Sequence, residues 1–411
     1  MKYETRLIWV LGITFGFLFF DRNAVNYLMP FIAADLKFSK TQVGLVASAL
    51  SFTWAIASYL GGAFSDRTGH RKAILVTTVV AFSLCSFLSG LANSFLALFL
   101  ARLLMGLSEG PFLPTAQSLV AFESADSRRG FNMGVMQNFG SNVLGSFVAP
   151  LVLVALASAW NWRGAFFIAG IPGLVMAVLI VKYVHEPAVH ELHPQSPQRA
   201  GADMRHGEML RFRNMWLCML MSIVMVAWMV LGWAFLPLFY DEVRHLSKTE
   251  MSVLMSVLGL SAAFFSFIVP GLSDHLGRRP VVVVFNLIGL LVPLAALYYH
   301  GSLYMLAALI FIGWSASGTF PLFMGTIPSE TIPARYVATS LGMVVGLGEI
   351  LGGVSGPAAA GWAADRWGLE VPLMMMAACA VVGTVLALFL KETAPARIGA
   401  ASAAARAPSS S

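Results

Sequence analysis

The sequence predicts an all-α integral membrane protein whose twelve transmembrane helices form two six-helix bundles. Three observations predict it. Only 11% of the 411 residues are charged and 58% are apolar, whereas about a quarter of an ordinary soluble domain is charged. Predominantly apolar runs of about 20 residues, the length that crosses hydrocarbon, recur twelve times. They lie near 7–33, 41–64, 73–92, 95–121, 131–156, 164–184, 214–240, 249–272, 280–299, 303–328, 337–362 and 370–390. The chain also repeats itself: GAFSDRTGHRK, from Gly62 to Lys72 between spans two and three, returns as GLSDHLGRR, from Gly271 to Arg279 between spans eight and nine. Asp66 matches Asp274 and Gly69 matches Gly277 at one offset of 208, and the same offset lays Gly130–Gly134 on Ala338–Gly342.

Taken in order, residues 1–184 read as the first bundle. The first span is too long for a signal peptide, carries Asp21 and Arg22 and lacks a small-residue cleavage site, so it is expected to stay in the mature chain. The fourth span carries Arg102 and Glu109 in ARLLMGLSEGPFLP, and the fifth carries Gln137, Asn138, Ser141 and Asn142. Residues 185–213, with four His, three Pro and many charges, read as a cytoplasmic linker whose His spacings match no metal-ligand motif. Residues 214–392 read as the second bundle. In it Glu349, within GLGEILGG, is the one ionisable residue in the middle of a span, and its counterpart in the first half is Ser141. Residues 393–411 read as a disordered cytoplasmic tail. Cys85, Cys218 and Cys379 fall in three different spans and read as reduced core cysteines.

Orientation follows from the basic residues, since cytoplasmic loops hold the excess of Lys and Arg. With the N-terminus inside, eighteen lie in inner segments and six in outer ones, while Arg22 and Arg102 lie in spans. Both termini are therefore expected in the cytoplasm. The same bias accounts for the net charge of +6 and leaves no separate basic patch for nucleic acid.

An ionisable residue at membrane depth is costly and normally faces the protein interior or a water-filled path. Arg102 and Glu109 are seven residues apart, so they share one helix face about 10 Å apart, too far for a direct ion pair. Each needs a partner elsewhere, and Asp21 and Arg22 lie near the middle of the first span. If the two helices face each other, two acids and two arginines surround one site. A carboxyl group can take up a proton, whereas arginine stays charged. Protonating Asp21 and Glu109 would leave two fixed positive charges that attract an anion, so proton and anion would each improve the site for the other. Two structural alternatives stand beside this: a buried salt-bridge network that only fixes packing, and an Arg102 that snorkels to the outer interface.

The stretch Gly62–Lys72 resembles the signature loop of the major facilitator superfamily, with His70 where that loop usually has Arg and Pro270 in place of the Gly of the second loop. Arg102-x-x-x-Gly106 resembles the superfamily's fourth-helix motif. Two parallel halves, each of two inverted triplets, are also its repeat pattern. Within the superfamily, Asp21-Arg22-x-x-x-Asn26 and Arg102-x-x-x-Gly106-x-x-Glu109-x-Pro111-x-x-Pro114 resemble the anion:cation symporter branch of organic anion/proton symporters. The resemblance implies that Asp21 and Glu109 carry protons and that Arg22 and Arg102 meet a substrate carboxylate; Glu349, by its place in span eleven, is a further candidate for a proton site or a substrate contact, with a structural bond to a neighbouring helix as the alternative. Asn26, Gln137, Asn138 and Trp314 are the accompanying substrate-binding candidates. Among the aromatics Trp54, Tyr59, Trp228, Trp233 and Trp314, one or two are expected to floor the site. Asp66, Arg67, Arg71, Glu123, Arg129, Asp274 and Arg278 are implied as cytoplasmic gate residues.

The function expected is therefore proton-coupled import of a small organic carboxylate, such as a sugar acid, hydroxy acid or aromatic acid. No cofactor is expected, the proton gradient being the drive. The expected partners are the anion, protons and the lipid bilayer, with no nucleic acid, and the expected form is a monomer in the plasma membrane, the inner membrane of a bacterium. A proton-coupled exporter of amphipathic compounds is the alternative, although the string Gly134–Pro150 lacks the adjacent Gly-Pro and double Gly of an antiporter signature. A membrane sensor would call for an appended soluble domain. An intramembrane enzyme would call for a motif such as H-x-x-x-H, which the sequence lacks, or a nucleophile elbow on a strand-to-helix turn, whereas the string Gly106–Gly110, GLSEG, lies inside an apolar span.

Overall fold

The computed structural model describes residues 3–124, 132, 135–186, 211–332, 337–394 and 397. Twelve helices among them are long and apolar enough to span a membrane. They are α1 (Tyr3–Leu36), α2 (Lys40–Ser65), α3 (Arg71–Gly90), α4 (Phe95–Val120), α5 (Val135–Ala159), α6 (Trp162–Tyr183), α7 (Arg213–Glu242), α8 (Lys248–Leu276), α9 (Arg278–Tyr298), α10 (Leu303–Thr331), α11 (Ser340–Trp367) and α12 (Glu370–Leu388). Each falls on one of the expected spans. Lipid offers no partner for backbone N–H and C=O groups, so an apolar run of this length must satisfy them internally as a helix.

The helix ends are written locally. Ser39 begins α2 with a capping box, its Oγ accepting from Gln42 N at 3.2 Å while Gln42 Oε1 accepts from Ser39 N at 3.0 Å. Ser94, Asn161 and Ser302 cap α4, α6 and α10 in the same way, through a side-chain oxygen. The repeated glycines end α2 and α8 at matching turns. Gly69 has φ 69° and Gly277 φ 103°, conformations that a side chain disfavours, and their N–H groups donate to Ser65 O and Ser273 O.

Several helices are irregular in mid-span. α4 is interrupted at Gly110–Pro111. α5 contains π-helical turns at Val135–Phe139 and Val143–Val148, α10 a 3-10 stretch at Trp314–Thr319 and a π turn at Leu322–Thr326, and α11 a π turn at Gly348–Val354. Such turns leave backbone groups less fully paired and recur at functional sites.

By their contacts the described residues group into two compact units: those within 1–199 with 233–263 and 354–372, and those within 200–232 with 264–353 and 373–411. The first unit adds to α1–α6 one end each of α7, α8 and α11, the ends that the charge bias assigns to the outside. Residues 187–210 of the expected linker, and nearly all of the expected tail, lie outside the described residues. Helices in lipid gain little from the hydrophobic effect and associate by close packing and hydrogen bonds. In the first unit Leu11, Phe15, Phe82, Phe112 and Ile180 form one buried cluster, with Phe15 and Phe112 stacked at 5.9 Å. In the second, Trp228 lies against Trp314 with ring centroids 4.6 Å apart, and Thr319 Oγ1 donates to Asn286 Oδ1 at 3.0 Å.

Candidate functional site

Small residues set the direction in which α4 presents its charges. A Cβ on Gly106 would overlap Thr53 Oγ1 and the Leu50 carbonyl, and one on Gly110 would lie 2.6 Å from Ala57 Cβ. This face of α4 is therefore pressed onto α2, where Thr53 Oγ1 also lies 2.8 Å from Leu103 O. Arg102 and Glu109 are buried, 2% and 1% exposed. The guanidinium of Arg102 turns to α1: its Nη2 donates to the Arg22 carbonyl at 2.6 Å and its Nη1 contacts Met105 Sδ at 2.8 Å. Arg102 thus does not snorkel. A neighbouring carbonyl on α1 holds it inside the bundle.

On α1, Asp21 is fully buried and its Oδ1 accepts from Ser86 Oγ of α3 at 2.6 Å. Arg22 is half-buried, its guanidinium carbon 5.0 Å from the Trp54 ring centroid and 5.3 Å from that of Phe19, a cation–π arrangement. The four charges lie within electrostatic reach of one another. Among the described residues none of them is ion-paired. Both oxygens of Glu109, Oδ2 of Asp21 and Nε of Arg102 are buried without a hydrogen-bond partner among the described residues. The salt-bridge network considered from the sequence is therefore absent in this conformation. Three of the four, Asp21, Arg102 and Glu109, thus keep unused bonding capacity at buried atoms.

The remaining sequence candidates are dispersed. Asn26 is half-buried on α1, while its neighbours Asn23 and Tyr27 both donate to the Gly145 carbonyl of α5, at 3.1 and 3.3 Å. Gln137 sits in the first π turn of α5 and accepts from Gln117 Nε2 of α4 at 3.0 Å, an interhelical bond. Asn138 is in the same turn, its side chain outside the description. Glu349 is half-buried in the π turn of α11 and engaged by a neighbour. Trp314, 1% exposed, lies in the second unit packed on Trp228 and Gly232, so here it fills the core and floors no open surface. Of the five aromatics, Trp54 is set against the charged candidate Arg22, while Tyr59 is 79% exposed. Sequence reasoning missed Ser86, an unremarkable serine that only folding brings to Asp21.

The gate candidates fall into two groups. In the second unit Arg278 is the hub: Nη1 meets Asp274 Oδ1 at 2.5 Å and Ser273 Oγ at 2.6 Å, and Nη2 meets Glu330 Oε1 at 2.9 Å. In the first unit Arg67 is exposed, while Arg71 and Glu123 are engaged by neighbours. The side chain of Asp66 and all of Arg129 lie outside the described residues. Two acids not singled out in the sequence complete the pattern. Glu186, after α6, accepts from Lys72 N at 3.1 Å, and Glu392, after α12, accepts from Arg278 N at 2.8 Å and Arg279 N at 3.2 Å. Each carboxylate thus caps the start of the third helix of its half, where the helix dipole favours it.

At the opposite ends, within the first unit, the sequence reading also missed a second set of ties. Asp365 of α11 accepts from Lys40 N at 2.6 Å, Thr41 N at 2.8 Å and Thr41 Oγ1 at 2.5 Å, and Lys40 Nζ pairs with Glu242 Oε2 of α7 at 2.6 Å. Ser48 Oγ donates to Val354 O at 2.6 Å. Segments from the two halves of the sequence are thus bound together at these ends.

The signature loop, its repeat and the charged helix pair can be compared with known proteins. A model of the Major Facilitator Superfamily matches residues 11–344 and 227–411. The chain belongs to this superfamily. It is a multi-pass membrane transporter and not an enzyme. It is 25% identical to the probable sulfoacetate transporter of Cupriavidus necator, over 95% of this chain and 94% of that one. It is 26% identical to the cis,cis-muconate transport protein of Acinetobacter baylyi, over 93% and 95%. Over 41% of its length, and 39% of the relative's, it is 38% identical to a hexuronate transporter of Bacillus subtilis. Among solved structures, a bacterial homologue of the human lysosomal transporter Spinster superposes with a TM-score of 0.79 at 20% identity, covering 95% of this chain and 96% of that one. That likeness bears on the fold.

Proposed function

We propose that this transporter carries a small organic carboxylate into the cell together with protons. One observation carries the reading: two acids and two arginines meet between α1 and α4, three of the four fully buried, and no ion pair forms among them. Arg22 and Arg102 are the anion-holding groups, since a guanidinium presents a planar fork of donors to a carboxylate. Asp21 and Glu109 are the proton carriers. While both are ionised the four charges sum to zero, and the site has little pull on an anion. With both protonated it carries two positive charges. The proton and the anion then bind cooperatively, which is the thermodynamic requirement for symport. The relatives named above, for sulfoacetate, muconate and hexuronate, are all named for organic acids, which supports a carboxylate as cargo. The eighteen-to-six distribution of basic residues supports an inner-membrane location with both termini in the cytoplasm.

The test is uptake of a panel of isotope-labelled organic acids by the purified protein in proteoliposomes with an imposed pH gradient, acidic outside. Accumulation of one acid above its equilibrium level, with alkalinisation of a weakly buffered outer medium, is expected. Accumulation driven equally well without the gradient, or substrate affinity that weakens steadily on acidification, would count against proton symport and favour the exporter.

A further inference from the structure

Ser86 stands between the acid of α1 and the backbone of α6. Its Oγ lies 2.6 Å from Asp21 Oδ1 and 2.9 Å from the carbonyl oxygen of Phe166, and the residue is fully buried. A hydroxyl has one proton to donate. With Asp21 ionised, both neighbours of Ser86 only accept, so one of the two short oxygen–oxygen contacts holds no hydrogen and lone pairs face each other where no water relieves them. With Asp21 protonated on Oδ1, each contact holds one hydrogen: Asp21 O–H donates to Ser86 Oγ, and Ser86 O–H donates to Phe166 O. The other carboxyl oxygen, Oδ2, is buried without a partner. That position suits the carbonyl oxygen of a neutral acid, because a bare anionic oxygen costs more to leave unbonded.

We propose that Ser86 is a positioning residue for proton coupling, which accepts the hydrogen bond of protonated Asp21 and passes it to the α6 backbone, so that Asp21 is neutral in this conformation. The inference rests on the reading that Asp21 carries a coupled proton. When Asp21 loses its proton, the carboxylate takes the single hydrogen of Ser86 and the link to Phe166 lapses. Protonation thus links α1, α3 and α6 through Ser86, and deprotonation releases this one link to α6 while Trp162 and Arg163 of α6 stay bonded to Asp35 of α1. The charged and titratable groups facing Asp21 are Arg102 and Glu109 on α4 and the Cys85 thiol beside Ser86 on α3, while Arg22, next to it on its own helix, lies over the Phe19 and Trp54 rings. α6 contributes the Phe166 carbonyl.

The experiment is infrared difference spectroscopy of the purified full-length protein, between acidic and alkaline pH and without substrate. A carboxylic acid band that disappears in Asp21→Asn is assigned to protonated Asp21. In Ser86→Ala the O–H of Asp21 loses its acceptor, so this band is expected to shift to higher frequency. In Ser86→Thr, which keeps a hydroxyl at the same place, the wild-type band is expected to return. A band unmoved by Ser86→Ala would overturn the proposal. So would the absence, at every pH at which the wild-type protein stays folded, of any band that Asp21→Asn removes. The wild type and Asp21→Asn decide this second outcome even if Ser86→Ala fails to fold. Because no transport is measured, failure of carboxylate uptake would leave this result standing, and the reverse also holds.

Discussion

Replacing Glu109 by glutamine tests the coupling with almost no change of shape. Both carboxylate oxygens are buried without partners and the residue is 1% exposed, so the substitution removes a switchable charge and no ion pair. Losing one member of a buried pair costs about 3–5 kcal/mol. With no pair to break, the expected change in stability is within about 1 kcal/mol, a few degrees at most in Tm. The effect on binding follows from distance. An anion held by Arg102 lies about 10 Å along the helix from Glu109. At an effective dielectric constant of about 20, two unit charges at that separation interact by about 1.7 kcal/mol, roughly 15–20-fold in affinity. At alkaline pH, Glu109→Gln should therefore bind substrate about 10–20-fold more tightly than wild type, and on acidification the difference should vanish as Glu109 itself becomes neutral. Each linked proton contributes at most about tenfold in affinity per pH unit. The steepest slope should accordingly fall from a ceiling of about 100-fold per unit, with two acids, to about tenfold with Asp21 alone. The sign is fixed: Kd falls as pH falls. Calorimetric or fluorescence titration of purified protein between pH 5 and 9, flanking neutrality, measures it, and counterflow in proteoliposomes checks that exchange survives while concentrative uptake is lost. A variant with the wild-type slope, or one that melts more than ten degrees lower, would refute the reasoning and make Glu109 structural.

Three further outcomes are expected. Arg22→Lys and Arg102→Lys keep the charge but lose the fork, so each should weaken substrate affinity about 10–100-fold, the loss of one or two hydrogen bonds to a charged group; an unchanged Kd in Arg22→Lys would remove that residue from the site. Asp365→Asn removes the charge that binds the first turn of α2, so a cysteine introduced at the buried Val46 of α2 should react faster with an external thiol reagent, by about tenfold for a cost of about 1.5 kcal/mol, and an unaltered rate would show that the tie does not hold that end shut. In a background without its own cysteines, His70→Cys should be labelled only from the cytoplasm and His300→Cys only from outside, and labelling of His70→Cys from outside would reverse the topology drawn from the basic residues.

Much of the architecture was legible because a bilayer imposes few solutions. Twelve apolar runs had to become twelve helices, whereas the caps at Ser39, Ser94, Asn161 and Ser302 that begin four of them emerged only in the structure. Asp21, Arg22, Arg102 and Glu109 stood out because charge within such a run is rare and costly. Their spacing placed Arg102 and Glu109 on one face, and the repeat at offset 208 identified Gly69 and Gly277 as matching turns, both found with positive φ.

The partners of those charges were not legible, because partners are chosen by packing between segments far apart in the chain. Arg102 finds a carbonyl 80 residues away and Asp21 a serine 65 residues away. Asp365 binds a helix start more than 320 residues away, and neither side of that tie carries a motif. The π turns at Gln137 and Glu349 arise where helices that approach closely exchange regular backbone bonds for a better fit, a balance struck between neighbours and absent from any local pattern. The sequence by itself determined that Asp21, Arg22, Arg102, Glu109 and Glu349 lie within apolar spans, because composition and period suffice for that. Only the tertiary structure decided that the first four form no ion pair among the described residues, since glycines such as Gly106 and Gly110 press α4 onto α2 and set how far its arginine and its acid reach toward α1.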